Sequence, residues 1–312
     1  VKRVVLAFVV VLALVAGGLF VAYRRQIVSY LTHWKGGPST TVPYEPFATP
    51  PVLHLAVAGD TGDAGRRLDA VGARIAAMGA DLAYDDLLLL GDLIYPSGDP
   101  DRLPALVDEP FAGVFAHGTD LLAILGNHDV MRDQGDVIMQ RLGMPGRWWA
   151  RELADGQVLV IGLDSTDMGN TDQLAFLDAT LAGSTAPWKI IAVHHPPYSA
   201  GYQGSSTDVR DVIAPRASAA GVQLVLSGHD HDYQRSEVID GVTYVVTGAG
   251  SGTRRTGDDW FTEVSYSFVH FVDIGVFPDE LVLRAVDVDG RVADTVTIPR
   301  VPAPLAAPSS AG

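Results

Sequence analysis

The sequence predicts an α/β fold, a sheet core flanked by helices, with an N-terminal transmembrane helix ahead of it. Three observations lead there: short apolar runs alternate with helix-like segments through the first two-thirds of the chain, the last runs follow one another with no clear helix between them, and residues 4–23 are apolar or small throughout. Strands alternating with helices imply an α/β sheet core. Consecutive strands imply a mixed or antiparallel region toward the C-terminus.

The N-terminal run is about the length that crosses a hydrocarbon core as a helix, and Lys2 and Arg3 precede it. A cleaved signal peptide has a shorter apolar core and a small-residue site. Val15-Ala16-Gly17 offers such a site, but apolar character continues through Phe20, so the segment reads as an uncleaved anchor. Arg24, Arg25 and Lys35 nearly balance the basic residues before it, and the signal-like start favours a catalytic domain outside the cell. The expected localisation is therefore the cell membrane, single-pass and extracytoplasmic, with secretion as the alternative. Residues 1–25 form the expected anchor and residues 26–51, rich in Pro, Gly and Thr, a linker. One catalytic domain is expected over 52–298 and a disordered Pro/Ala/Ser tail over 299–312.

Within that domain strands are expected at 53–58, 87–90, 121–125, 158–163, 190–193, 222–226 and 243–246, with two more near Phe268 and Leu281. Helices are expected over 66–78 ending at Gly79, over 172–181 after a possible cap at Thr171, and over 208–220 ending at Gly221. No internal repeat is visible.

The net charge of -15 argues against nucleic acid as a partner, which would need clustered basic residues. The absence of Cys removes disulfides, thiol nucleophiles and cysteine metal sites. No GxSxG elbow and no GxxxxGK[ST] loop occurs, so a serine hydrolase or a P-loop enzyme lacks its parts.

The chemistry sits after the strands. Ala58-Gly59-Asp60-Thr61-Gly62, Gly91-Asp92-Leu93-Ile94-Tyr95, Gly126-Asn127-His128-Asp129, Val193-His194-His195-Pro196 and Ser227-Gly228-His229-Asp230-His231 each follow an apolar run. Carboxyl ends of strands in open α/β sheets share one edge, so these side chains can converge. Singly, each has an ordinary role as a turn cap or strand-end hydrogen-bonding group. Together, carboxylate, imidazole, phenol and amide oxygen suit iron, manganese or zinc better than calcium. Seven candidates, Asp60, Asp92, Tyr95, Asn127, His194, His229 and His231, exceed what one catalytic zinc takes and point to two ions.

The order GDTG, GDLIY, GNHD, IAVH, GHDH resembles the purple acid phosphatases, tartrate-resistant acid phosphatase-like, within the calcineurin-like metallophosphoesterases. The likeness runs from residue 52 to about residue 252, and Tyr244 to Gly250 (YVVTGAG) matches the small, single-domain members. It implies a sandwich of two mixed β-sheets flanked by helices. It also implies that Asp60, Asp92, Tyr95 and His231 hold iron(III), that Asp92, Asn127, His194 and His229 hold iron(II), zinc or manganese, and that Asp92 bridges. The wider superfamily usually has a His where Gly62 stands; Tyr95 fills that vacancy.

The implied function is hydrolysis of small phosphomonoesters by a metal-bound hydroxide, with His128 binding substrate and protonating the leaving oxygen. Its orienting carboxylate is Asp99 or Asp129. No His occurs between His195 and His229, where many members place another substrate contact, so His195 is a second catalytic candidate beside an equally good reading as a supporting residue. His33, His54, His117 and His270 read as ordinary, and Trp148 and Trp149 as core or pocket wall. A phosphodiester or nucleotide is the alternative substrate, and a non-catalytic membrane-tethered binding protein the alternative of another class.

Overall fold

The computed structural model describes residues 35–300 and, ahead of them, positions 15 and 17. In chain order its strands are β1 (Val42–Pro43), β2 (Leu53–Ala58), β3 (Asp86–Leu89), β4 (Asp120–Ala123), β5 (Trp149–Leu153), β6 (Val158–Leu163) and β7 (Trp188–Val193). They continue with β8 (Leu224–Ser227), β9 (Tyr233–Ser236), β10 (Thr243–Thr247), β11 (Thr262–Tyr266), β12 (His270–Val276), β13 (Glu280–Asp287) and β14 (Arg291–Pro299). The helices are α1 (Arg66–Gly79), α2 (Ala112–Phe115), α3 (Gly135–Arg141), α4 (Thr171–Gly183) and α5 (Thr207–Ala219).

Two seven-stranded sheets result, in the orders β1-β14-β13-β12-β2-β3-β4 and β11-β9-β10-β8-β7-β6-β5. Strands β2, β3 and β4 are mutually parallel, as are β6, β7, β8 and β10, while the remaining pairings are antiparallel. Each sheet is therefore mixed. Parallel strands are covered on both faces, which is why β2 and β6 are buried at every residue and apolar apart from His54.

Period-two alternation sends the two faces of β6 into different cores. Val158 and Val160 join the cluster between the sheets, with Leu55, Leu88, Ile190 and Leu226. Leu159, Ile161 and Leu163 join a second cluster beneath α4 and α5, with Leu177, Val209 and Ile213. Trp149 ties the sheets together: its indole N–H donates to the Ala123 carbonyl at 2.8 Å. Its ring lies where a Cβ on Gly162 would be, 2.4 Å away, so the facing residue of β6 has to be glycine.

The segment from Lys35 to Pro51 lies along the domain. Lys35 bridges to Thr256 and pairs with Asp258 at 2.5 Å, β1 pairs with β14, and Phe47 packs edge-on against His54 and Phe277.

The transmembrane part of the expected fold is corrected. No helix among the described residues is long and apolar enough to cross a membrane. The longest of them, α1, has 14 residues, about 21 Å of rise against about 30 Å of hydrocarbon. It also carries Arg66, Arg67, Asp69 and Arg74. The run expected to span, residues 4–23, lies outside the described residues apart from positions 15 and 17. The membrane as partner and the single-pass localisation rested on that helix and are withdrawn with it. The tail from 301 onward also lies outside the described residues.

Candidate metal centre and active site

Asp60 follows β2, Asp92 follows β3, Asn127 follows β4, His194 follows β7, and His229 and His231 follow β8, all parallel strands. Their carboxyl ends meet along one edge of the sandwich, where Asp60 Oδ2 accepts the His229 N–H across the two sheets at 2.7 Å. The glycines preceding several of these residues are explained by that crowding. A Cβ on Gly91 would lie 2.5 Å from the Gly126 nitrogen, one on Gly126 2.2 Å from Asp92 Oδ1, and one on Gly228 2.5 Å from Asp60 Oδ2. Asp60, Asp92 and His229 themselves have left-handed backbones, φ 56°, 50° and 71°. Such strain in non-glycine residues concentrates where side chains must be aimed.

Among the described residues one group of carboxylate and imidazole ligands is close enough to hold an ion: Asp92, His194 and His229, with ligand atoms within 4.8 Å of one another. His194 Nδ1 lies 2.8 Å from the Leu90 carbonyl, an acceptor only, so Nδ1 carries the hydrogen and Nε2 is the free ligand atom. That Nε2 and Asn127 Oδ1 are buried with no hydrogen-bond partner. Buried polar atoms are otherwise nearly always satisfied, so this orphaned pair fits a cation. On the other side of Asp92, the Tyr95 hydroxyl lies 3.0 Å from Asp60 Oδ1, 3.1 Å from Asp92 Oδ2 and 3.0 Å from His231 Nε2. Asp92 thus faces His194 with Oδ1, at 3.5 Å, and Tyr95 with Oδ2.

With this geometry in view, the sequence matches the calcineurin-like phosphoesterase family over residues 53–233. The chain belongs to that family. It is 24% identical to purple acid phosphatase 3 of Arabidopsis thaliana over 80% of this chain and 78% of that one. It is also 24% identical to tartrate-resistant acid phosphatase type 5 of Mus musculus over 74% and 82%. Among solved structures, the fold superposes on GAP50, the anchor in the inner membrane complex of Plasmodium, with a TM-score of 0.71 at 17% identity over 80% of this chain and 89% of that one. It superposes on the yellow lupin purple acid phosphatase PPD1 with a TM-score of 0.69 at 19% identity over 80% and 54%.

The electrostatics of this metallophosphoesterase are those of a site that waits for positive charge. Burial opposes ionisation of Asp92, yet His194 and the His128 N–H hold its carboxyl well below the usual range. Burial likewise opposes charge on His194, but Asp92 and then Asp60 push it up to about 10. Holding a cation at Nε2 would require that nitrogen to be unprotonated. Burial and the Asp60 and Asp92 carboxylates push the Tyr95 phenol far up. Phenolate character there requires a cation nearby. Burial, then His194 and His195, drives His229 far down, and burial, then His194, lowers His195 to about 4.

His128 is half-buried at the rim. Its backbone N–H donates to Asp92 Oδ1 at 2.9 Å and Nδ1 donates to the Pro96 carbonyl at 2.6 Å. Neither carboxylate expected to orient it does so. Asp99 accepts from the Asp101 N–H and pairs with Arg132, and buried Asp129 accepts from the Leu93, Ile94 and Gly126 N–H groups at 2.8 to 3.2 Å. Asp129 therefore ties the loop carrying Asp92 to the loop carrying Asn127; burial and then Asp92 push its carboxyl up to about 7.

Sequence reasoning missed several supporting residues. Ser165 Oγ lies 2.8 Å from His195 Nδ1 and accepts the His195 N–H. Asp230, buried beside His231, accepts from Ser199 and from the Gln203 and Gly204 N–H groups. Asp232 accepts from the Gln234 amide. Ser251, in the glycine-rich turn after β10, donates to the Asp60 carbonyl. Of these, Asp230 and Asp232 carried a local signal, as the two acids flanking His231 in GHDHD. A cavity of about 430 Å³ opens beside Tyr95, His128 and His231, and Arg102 and Arg254 line it.

Proposed function

We propose that this metallophosphoesterase hydrolyses small phosphate monoesters on two cations, in the manner of the purple acid phosphatase branch. In this reading Asp60, Asp92, Tyr95 and His231 hold iron(III), and Asp92, Asn127, His194 and His229 hold iron(II), zinc or manganese. The observation that carries it is the division of Asp92, one oxygen toward His194 and the other toward Tyr95. Bound there, the cations would offset charge on the phosphoryl oxygens and make water a better nucleophile at neutral or acid pH.

The chain's own residues do the rest. His194 and His231 are held with one ring nitrogen toward the centre, and Asp129 fixes the spacing of the Asp92 and Asn127 loops. His128 keeps its Nδ1 proton on Pro96 and turns Nε2 toward Asp92, 4.0 Å away, at the edge of the cavity. Protonated on Nε2, it is the group positioned to donate to a leaving oxygen. His195, lowered to about 4 by burial and His194, is bonded to Ser165, which suits it to orienting rather than to proton donation.

A phosphodiester or nucleotide cleaved on the same centre is the second reading, and the arginine-lined cavity favours it, since it leaves room beyond one phosphoryl group. The test is metal content, visible absorption and hydrolysis of monoester and diester substrates for the purified protein and for Tyr95→Phe. Two metals per chain including iron, with a visible band lost in the variant and monoesterase activity, is the expected result. Exclusive diesterase activity would replace the first reading with the second, and failure to bind metal would end both.

A further inference from the structure

The cavity beside Tyr95 continues past the metal centre. It shares Asp63 and Ser251 with a second hollow of about 240 Å³ whose other lining includes Gly65, Arg66 and Arg67. The junction is fixed to the centre, because the Ser251 hydroxyl donates to the backbone carbonyl of Asp60. Two adjoining hollows therefore extend from the Tyr95 side of the centre to the start of α1, where the helix dipole adds partial positive charge.

Four arginines border these hollows in a chain of net charge -15. Elsewhere among the described residues Arg132, Arg141, Arg147, Arg216, Arg235 and Arg284 have carboxylates in ion-pair range. Arg66, Arg67, Arg102 and Arg254 are not among these ion-paired arginines, and neither are Arg74, Arg151, Arg210, Arg291 and Arg300. Arg102 donates to the Tyr95 carbonyl and Arg254 stacks over the Tyr202 ring at 5.4 Å, so both are braced at the rim with donors to spare. Arg66 and Arg67 are exposed. Between the two pairs stands the carboxylate of Asp63, which lines both hollows.

We infer that the two hollows form one groove with a second anion subsite and that the preferred substrates are small bisphosphorylated molecules whose two phosphates are separated by a neutral scaffold; this rests on the phosphoesterase reading. Arg102 and Arg254 flank the phosphoryl group at the centre, and Arg66 and Arg67 receive the distal one. Asp63 meets the neutral spacer and repels a continuous polyanion, so the charge order along the groove is positive, negative, positive.

The test compares fructose 1,6-bisphosphate with fructose 6-phosphate as substrates of the full, metal-loaded chain. The wild type should favour the bisphosphate in kcat/KM. The Arg66→Gln/Arg67→Gln double variant should cut that preference by about fivefold or more, through KM, as the loss of two exposed charge contacts allows. Asp63→Asn should raise affinity for an inorganic polyphosphate inhibitor. A preference that stays within about twofold of the wild type in the double variant, at or below what two of the weakest such contacts supply, would overturn the inference. So would an equal loss on both substrates. Should the wild type cleave neither sugar phosphate, the monoesterase reading fails, and calorimetric titration with fructose 1,6-bisphosphate then decides the subsite by itself. Saturable binding weakened in the double variant retains it, and no saturable binding to the wild type removes it.

Discussion

Acidification should weaken this domain through one buried histidine that is not a candidate metal ligand. His270, at the start of β12, is fully buried. Its Nδ1 lies 2.9 Å from the Phe268 carbonyl and its Nε2 3.0 Å from Thr247 Oγ1. The carbonyl can only accept, so Nδ1 carries the hydrogen, Nε2 accepts from the threonine, and the ring is neutral. Burial lowers its pKa from 6.5 to about 4. A depressed histidine contributes stability that is complete above the unfolded value and lost as pH falls through the folded one. At 1.36 kcal/mol per unit, the shift from 6.5 to about 4 amounts to about 3 kcal/mol lost across that window. Asp86 opposes it: burial, then Asp120 and Asp85, raise its pKa to about 6, so its contribution is present below the unfolded value of 3.8 and is lost as pH rises through about 6. The wild-type curve alone is therefore not diagnostic. Urea unfolding of metal-free protein at about pH 7.5 and about pH 4.5, for wild type and His270→Gln, isolates the effect, because lost packing and about 1 kcal/mol of hydrogen bonding are common to both conditions. The variant should lose about 2 to 3 kcal/mol less on acidification than the wild type. An equal loss in both proteins would refute the reasoning.

Asp86→Asn should be more stable than the wild type at neutral pH and converge with it in acid, read from the same denaturant curves; the opposite order would mean the carboxyl is not penalised in the fold. Asp129→Ala strands three buried N–H groups, so it should cost about 3 kcal/mol or more and reduce bound metal by elemental analysis, whereas a normal metal content would deny it the role of spacing the two loops. Gly228→Ala drives a methyl to within 2.5 Å of Asp60 Oδ2, and should lower metal content and activity at least about tenfold while moving the melting temperature little.

The sheet core was legible because buried parallel strands are written as unbroken apolar runs. β2 and β6 fall on the expected residues, and most other central strands shift by one or two positions. The strands not expected are β1, β5, β9, β11 and β14, and in β9 the reason is charge resolved only by a partner distant in sequence. β9 is Tyr-Gln-Arg-Ser, and its Arg235 meets Asp294 of β14, in the opposite sheet, at 2.7 Å. β5 and β11 are edge strands with exposed faces, so Trp-Ala-Arg-Glu-Leu and Thr-Glu-Val-Ser-Tyr carry no run to read. The cap of α4 is Asn170, which accepts from the Asp172 and Gln173 N–H groups, and not Thr171, the first helical residue. At the site, the candidate ligands were legible because each stands in a short loop after a strand. The partner of His128 was not, because it is a backbone carbonyl, and Ser165 was not, because thirty residues separate it from His195.

The repeated glycine in GD, GN and GH has a physical reading that composition alone does not supply. The loops at this edge approach so closely that Gly91, Gly126 and Gly228 each occupy space where a methyl would meet backbone or a candidate ligand oxygen. Three of the candidate ligands take left-handed backbones, at a cost on the order of 1 kcal/mol or more each. Leu90, Leu93 and Leu125 of these loops belong to the core between the sheets, and a well-packed scaffold of that size can sustain strained turns that short loops alone would relax. The same rigidity bears on metal uptake. The Leu90 carbonyl fixes the buried His194 ring at Nδ1, so the fold itself meets part of the ordering cost that a flexible ligand would incur on binding.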